Sequence, residues 1–283
     1  MLKWGAIQVN KNMGKEKNMG KRNHNFFIFI LLVLPELYFL KADLTSEKKL
    51  LFFFNKIEVN GNVDVFLKRG TRLREAKIYA DSEIINSVLT KVSQKTLFID
   101  ANNTYNIARR LPFIRLKAER KFPVEVIVSV HNIDEIRVLG QSNVTAENIT
   151  SKNLSIFVAS SGKVHLQNIS TPKLNIIHEG EGDIILKGES IEDLKVKITQ
   201  NGSLFADKLE VSRATLIHQG NGTVHLNPSK WMDARIFGDG NLFLHEKPEN
   251  IVIDQRGTGR VSDILPDASP LYDINQSDLP RGK

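Results

Sequence analysis

The sequence of 283 residues contains no cysteine, and this absence excludes several classes of protein. Without thiols the chain cannot form disulfides, thiolate zinc sites or iron–sulfur clusters, and it has no cysteine nucleophile. Aromatic residues are also few, at 7% of the chain. The hydrophobic fraction of 41%, in contrast, is enough for a large core, so the composition is that of a globular or repeat protein.

The net charge of +7 is concentrated at the N-terminus. Residues 1–42 hold seven of the 39 basic residues and two of the 32 acidic ones, which leaves 32 basic and 30 acidic residues in the rest of the chain. Proteins that bind nucleic acid concentrate basic and stacking side chains on one folded face. The nearly balanced body therefore indicates no nucleic-acid partner.

The N-terminal residues 1–42 have the pattern of a signal peptide. A basic stretch precedes the apolar run Phe26–Leu34, which has the length of a signal h-region but is too short to span a bilayer as a helix. The alternative is an uncleaved N-terminal anchor that includes Leu37–Leu40, and Met19 is an alternative start. In both cases we expect the body to be exported to the periplasm, the outer-membrane surface or the extracellular space, with membrane contact only through an uncleaved segment.

A short glycine-rich motif recurs along the second half of the chain. Successive motifs are spaced by 20, 20, 20, 20, 18 and 19 residues, which is the signature of a repeat protein. The motifs end at Ser142, Gly162, Gly182, Gly202, Gly222, Gly240 and Gly259. We predict that these glycines are structural corner residues, which supply a positive φ and a tight bend between strands.

The residues on both sides of each corner alternate between apolar and polar with a period of two, which predicts β-strands with one buried face. The apolar positions two residues after each corner are Val144, Val164, Ile184, Leu204, Val224, Leu242 and Val261. Six and eight residues before the corners, interior columns include Ile156, Ile176, Ile253, Leu154, Leu174 and Ile251. A third short strand is suggested by Ile149, Ile169 and Leu209.

Units of about 20 residues can bury such a face only by coiling and stacking. We therefore predict an all-β fold, a single-stranded right-handed parallel β-helix or solenoid, with strands about 4.8 Å apart along its axis. The predicted domain boundaries are a β-helix domain at 43–264 and a polar C-terminal tail at 265–283.

Upstream of residue 135 the same alternation is less regular. Ile57–Val65 alternates around a glycine, and Ala76–Ala80, Thr96–Ile99 and Val124–Val130 are predicted strands. Arg109–Lys121 is basic and shows no strand periodicity. We interpret it as an irregular segment, either a solvated loop or a contact for anionic lipopolysaccharide.

These motifs resemble the bacterial head GIN domain family of auto-transporter adhesins. The resemblance rests on Ile57–Val65, on Ile133–Ile136 and on the repeated Gly-x-Gly-x-(Ile/Leu/Val) units, and it covers roughly residues 54–264. It implies a right-handed β-helix on an exported protein and brings no catalytic residues. The sequence departs from the family pattern where glycine is preferred, which predicts looser corners at Ser142, Ser160 and Gln200.

One outward column of the predicted solenoid is apolar and aromatic instead of polar. We call it the outward stripe and treat it as the candidate binding site. It comprises His165, Ile185, Phe205, His225 and Phe243, each three residues after a corner. An apolar stripe on an outer surface calls for a partner. The alternatives are sugar rings, a dimer contact in a homo-oligomer, or cover by the upstream segment or the tail.

Other chemistry finds less support in the sequence. The Gly-x-Gly motifs lack the third glycine of a dinucleotide fingerprint, and no column of carboxylates forms for calcium. Glu181 and Asp239 share a column but lie three coils apart, about 14 Å, which exceeds the roughly 5–9.5 Å of glycosidase carboxylates. His178 and His218 fall on a core column about 10 Å apart, so we expect structural histidines and no metal or cofactor.

Together these patterns predict an exported, non-enzymatic binding or adhesion-type module of the bacterial cell envelope. Its partner would be a cell-envelope glycan or another envelope protein, held on the side of the solenoid. Two alternatives remain: a polysaccharide-active β-helix enzyme, and a purely structural envelope assembly protein.

Overall fold

The computed structural model describes residues 44–69, 74–101, 104–111, 114–130 and 132–263, and for 104–121 it describes only the backbone. The predicted signal or anchor segment at 1–42 and the predicted tail at 265–283 lie outside the described residues. All described strands belong to one compact unit, Asp43–Lys283.

Nearly all regular structure in the described residues is β-strand, with one short 3-10 helix at Ile85–Ser87. The strands of the N-terminal part are β1 (Leu44–Leu50), β2 (Lys56–Gly61), β3 (Asp64–Arg69), β4 (Glu75–Asp81), β5 (Leu89–Ser93), β6 (Thr96–Ala101), β7 (Thr104–Leu111), β8 (Ile114–Lys121) and β9 (Glu125–Val130). Those of the repeat region are β10 (Glu135–Val138), β11 (Asn143–Glu147), β12 (Asn153–Val158), β13 (Val164–Ile169), β14 (Lys173–His178), β15 (Asp183–Gly188), β16 (Ile191–Ile198), β17 (Ser203–His218), β18 (Val224–Ile236), β19 (Leu242–Leu244), β20 (Asn250–Gln255) and β21 (Val261–Asp263).

Each coil of about 20 residues contributes one strand to each of two parallel stacks. Strand β12 pairs in register with β14, so that Ile156 lies beside Ile176, and β13 pairs with β15, so that Val164 lies beside Ile184. The predicted β-solenoid is therefore confirmed. Its right-handed coiling stays a prediction from the sequence.

The core consists of aliphatic columns that run along the axis between the two stacks. The column two residues after the corners is fully buried from Val144 to Leu242. Each such side chain contributes roughly 1.5–3 kcal/mol relative to an exposed one. The polar residue directly after a corner points outward and ties the coils together, because the side-chain oxygens of Asn143 and Ser203 accept the backbone N–H groups of Lys163 and Thr223.

The coils are not stacked in chain order at the N-terminal end. Strand β2 pairs in parallel with β10 and also with β6, while β3 pairs with β11 and with β9. The coil formed by β2 and β3 thus lies between the repeat region and a further layer made of β6 and β9. Antiparallel strands then extend both stacks: β5 pairs with β6, β4 with β9, and β1 with β4.

The upstream strands predicted at 76–80, 96–99 and 124–130 are confirmed as β4, β6 and β9. The prediction of an irregular segment at 109–121 was wrong, because β7 and β8 form a two-stranded antiparallel hairpin from residue 104 to 121. Its many charged residues hid the strand signal, since the sequence shows no regular apolar alternation there.

The corner glycines lie at the predicted positions, but the predicted reason for them was wrong. Among the described glycines only Gly61 has a positive φ, at 88°. What requires glycine at the repeat corners is close stacking: a Cβ on Gly162 would lie 1.7 Å from the carbonyl oxygen of Ser142, and one on Gly222 would lie 2.0 Å from that of Gly202. The corner backbones of neighbouring coils touch, so no side chain fits between them.

Within the repeat region, the non-glycine residues with positive φ values are two asparagines. Asn148 and Asn168 have φ values of 58° and 53° at the end of the second strand of their coils, a conformation that asparagine tolerates better than most residues. The third strand predicted near Ile149 and Ile169 is reduced to isolated bridges that join Thr150 to Asn132 and Ser170. This turn therefore separates the two stacks without adding a third one. Leu209, the other residue of the predicted third strand, lies inside the long strand β17.

Two further predictions about packing were wrong. The corner at Ser142 is not loose, because this residue is fully buried and its hydroxyl donates to the Gly61 carbonyl oxygen over 3.2 Å. Ile251 and Ile253, expected in the interior, are 40% and 37% exposed. They lie on β20 in the last coil of the described residues, and no described coil follows it to cover them.

Candidate ligand-binding face

The structure places the five residues of the outward stripe in one unbroken column. His165 is the register partner of Ile185, which partners Phe205, and Phe205 continues through His225 to Phe243. All five side chains are half-buried. Because the strands are parallel and in register, equivalent positions of successive coils lie about 4.8 Å apart.

Three rings of the outward stripe stack on one another. The ring centroids of Phe205 and His225 are 5.3 Å apart with an interplanar angle of 27°, and those of His225 and Phe243 are 4.8 Å apart at 28°. Such pairs contribute about 0.5–1.5 kcal/mol each beyond the area they bury. The stack forms a rigid, nearly continuous aromatic surface along the axis.

A second histidine, His245, sits beside the stack and was not predicted. Its Nε2 lies 3.0 Å from Nδ1 of His225, so one ring donates a hydrogen bond to the other. Burial lowers the pKa of His225, and the neighbouring His245 lowers it further, while Asp207 acts in the opposite sense. His225 is therefore neutral at pH 7, and the centre of the stripe is an uncharged aromatic surface.

The column continues beyond the predicted stripe into the N-terminal coils. Below His165 come Thr145, then Phe66 on β3 and Ile127 on β9. Phe66 is only 8% exposed and Ile127 is half-buried. From Ile127 to Phe243 the column spans eight strands, about 34 Å. The repeat spacing places Thr145 in this column, but it could not align Phe66 and Ile127, because β3 and β9 precede the regular repeat.

Trp231 is a second exposed aromatic residue that sequence reasoning missed. It is 42% exposed and lies in a register column between Arg213 and Asn250. Nε of Arg213 forms an ion pair of 3.0 Å with Asp193, the next residue of the same column. The tryptophan borders a shallow hollow of about 650 Å³. Trp231 lies nine residues before Gly240, at a position that the alternation predicts to face outward, so the sequence could have indicated this exposed aromatic residue.

The carboxylates considered for catalysis are solvated surface groups. Glu181 and Asp239 are both exposed. The Thr258 hydroxyl and backbone N–H donate hydrogen bonds to Asp239, and they lower the pKa of its carboxyl group. A carboxylate held ionised in this way is a poor general acid. Lys163 and Asp183 form a surface ion pair, with 3.8 Å between Nζ and Oδ2.

The two core histidines are confirmed as buried. His178 and His218 are fully buried, and each lies 2.6 or 2.8 Å through Nε2 from a corner carbonyl oxygen, that of Gly182 or Gly222. Since a carbonyl accepts, each Nε2 carries the proton. Burial lowers the pKa of both rings, although these hydrogen bonds oppose the shift. Their role is to satisfy the corner carbonyls from inside the core.

Within the residues that the structure describes, no group of three or more histidine, aspartate or glutamate side chains is arranged to hold a metal ion. No helix within the described ranges is long and apolar enough to cross a membrane.

The stacked parallel coils define a β-solenoid protein, and the outward stripe runs along its axis. The model of one family, described as "putative auto-transporter adhesin, head GIN domain", matches residues 53–248. The chain therefore belongs to this family, as its repeat motifs predicted. No curated protein matches it.

Solved structures share this fold at low sequence identity. A protein from Bacteroides fragilis, described as a putative adhesin, is 22% identical, with a TM-score of 0.67 over 79% of this chain and 98% of that one. A putative adhesin from Parabacteroides merdae is 18% identical, with a TM-score of 0.52 over 80% and 98%. A protein from Parabacteroides distasonis, described as a putative lipid binding protein, is 16% identical, with a TM-score of 0.55 over 80% and 98%.

Proposed function

We propose that the chain is an exported, non-enzymatic binding module of adhesion type at the bacterial cell envelope, and that the outward stripe is its ligand face. The observation that carries this proposal is the unbroken column of half-buried apolar and aromatic side chains from His165 to Phe243. The adhesin description of the family agrees with it.

The stripe has physical properties that favour an elongated, repetitive ligand. It lies on strands whose backbone is fixed by pairing on both sides, so binding costs little ordering entropy. Its residues repeat at the coil spacing, and several weak contacts along one rigid face add through effective concentration. A chain of similar sugar units meets these conditions, which makes an envelope glycan the preferred ligand.

The edges of the stripe also suit a glycan. Gln167 lies 3.3 Å from the His165 ring through its Nε2, and His245 and Asp207 flank His225. Sugar rings present apolar C–H faces and hydroxyl edges, which match an aromatic surface bordered by hydrogen-bonding groups. An envelope protein is the second candidate, and it would use the same apolar column.

The arrangement of acidic groups supports binding without catalysis. Hydrolysis of a glycan uses two carboxyl groups roughly 5–9.5 Å apart, one of which has a raised pKa. Asp239 has the opposite shift, and its column partner Glu181 lies three coils away. We therefore propose that the protein holds its ligand and does not cleave it.

The double substitution Phe205→Ala/Phe243→Ala tests this function. It removes both rings that stack on His225, and we expect the affinity for an envelope polysaccharide to fall at least tenfold, since each ring contributes on the order of 1 kcal/mol or more. The measurement is a glycan-array screen followed by titration with the best polysaccharide.

Phe157→Ala is the matched control, because Phe157 is also half-buried and points outward, but on the other stack of strands. It should leave binding unchanged. Equal losses in both variants, or full binding by the double variant, would count against the stripe as the ligand face. Self-association of the wild-type protein without any glycan binding would instead favour a structural assembly role.

A further inference from the structure

A cavity in the described part of the chain lies away from the outward stripe, at the turn that joins the second strand stack to the first. It has a volume of about 750 Å³, which is within the range of small-molecule sites. Its walls come from the segment before β2, from the start of β4, from the end of β9 with the turn after it, and from the equivalent turn before β12.

One side of the cavity is apolar and opens to solvent. Phe54 and Val130 are buried in its wall, and Phe53 is 57% exposed at its rim. The neighbouring Leu50 and Phe52 are 83% and 82% exposed. Three large exposed hydrophobic residues within four positions are unusual on the surface of a monomer and mark an interaction site.

The rim also carries two cations. Arg74 and Lys152 line the cavity, and both are exposed. Arg74 has a φ of 69°, a conformation that costs free energy for a residue with a Cβ. Its backbone is held there by hydrogen bonds from Leu51 N–H to its carbonyl oxygen, 2.8 Å, and from its own N–H to the Ser129 carbonyl oxygen, 3.1 Å. The backbone of Arg74 is thus fixed beside the phenylalanine rim.

Among the described residues of the lining, the single acidic group is Asp134, and it is already engaged. Asp134 accepts hydrogen bonds from Nδ2 of Asn55, at 2.6 Å, and from the hydroxyl of Ser151, at 2.9 Å. This orientation leaves Oδ1 of Asn55 buried and without a donor among the described residues. A buried acceptor without a partner is costly, and this one lies in the cavity wall out of reach of solvent.

We propose that this cavity binds a single anionic amphiphile, a molecule with an alkyl or acyl chain and an acidic head group. The chain contacts Phe53, Phe54 and Val130, and the head group pairs with Arg74 and Lys152. This site is separate from the outward stripe and does not depend on the function proposed for it.

The test is calorimetric titration with three probes that share a dodecyl chain, each kept below its micelle concentration: dodecyl phosphate, dodecyl maltoside and dodecyltrimethylammonium. We expect dodecyl phosphate to bind one to one and at least tenfold more tightly than the other two. Arg74→Asn/Lys152→Gln should remove this preference, and asparagine suits the positive φ at position 74. Phe53→Ser should weaken the binding of dodecyl phosphate about tenfold.

Phe237→Ser is the matched control, because Phe237 is also an exposed phenylalanine, 41% accessible, outside the cavity lining. It should bind dodecyl phosphate like the wild type. The proposal is overturned if the wild type binds none of the probes, if the three probes bind equally, or if the cation variant keeps the phosphate preference. Binding to phosphatidylglycerol vesicles without binding to monomeric dodecyl phosphate would also overturn it, since the bilayer surface would then be the ligand.

Discussion

The substitution Gly222→Ala is expected to lower the free energy of unfolding by about 3 kcal/mol or more, and to abolish folding if the solenoid is only marginally stable. A Cβ at this position would lie 2.0 Å from the Gly202 carbonyl oxygen of the previous coil. The two corners cannot move apart easily, since the strands that flank them are paired in parallel with those of neighbouring coils. Urea or guanidinium unfolding, followed by circular dichroism, measures the loss.

Asn221→Ala serves as the matched control, because Asn221 is the exposed middle residue of the same corner. Surface substitutions of this kind usually change stability by no more than about 0.5 kcal/mol. If Gly222→Ala were as stable as Asn221→Ala, the corners would have to separate easily, and close stacking would not be the reason for glycine.

The corner glycines show what the sequence could and could not predict. Their spacing located every corner and fixed the coil length, because a solenoid repeats one structural unit. The spacing could not distinguish between two reasons for glycine, a positive φ and a missing Cβ. The distinction depends on how closely the next coil approaches, and that distance is a property of the stack and not of one coil.

The outward stripe was predictable for the same reason. Once the period was known, His165 and Phe243 had to share a column, and the alternation placed that column outside. His245 was not predictable, because its own column is polar and its contact with His225 depends on side-chain rotamers. Phe66 and Ile127 were missed because the N-terminal coils are stacked out of chain order.

The cavity proposed to bind an anionic amphiphile could not be predicted from the sequence. Its walls come from residues as distant as Phe53 and Asn153, which meet only because the coil of β2 and β3 packs against that of β10 and β11. No periodic pattern marks such a place. The sequence offered one local indication of the cavity, the run of consecutive apolar residues at 50–54. Such a run does not fit the period-two alternation of a strand with one buried face.

The stability of the solenoid is expected to fall as the pH decreases from 7.5 to 5.5, and the buried histidines are the cause. Burial lowers the pKa of His178 and of His218 below the value of about 6.5 that histidine has in an unfolded chain. As the pH falls through 6.5 the unfolded state therefore takes up protons that the folded state does not, and unfolding is favoured. The loss ends only below the lowered pKa values of the folded state.

The double variant His178→Gln/His218→Gln separates these rings from all other titrating groups. Each histidine contributes a slope of at most about 1.4 kcal/mol per pH unit, so removal of both should flatten the dependence between pH 7.5 and 5.5. The glutamine amide can still donate to the corner carbonyl. A residual slope is expected from His225, whose pKa is also lowered by burial. The measurement is the free energy of unfolding of both proteins at several pH values. If its dependence on pH were unchanged in the double variant, groups outside the core would cause it. The two histidines would then serve only as hydrogen-bond donors.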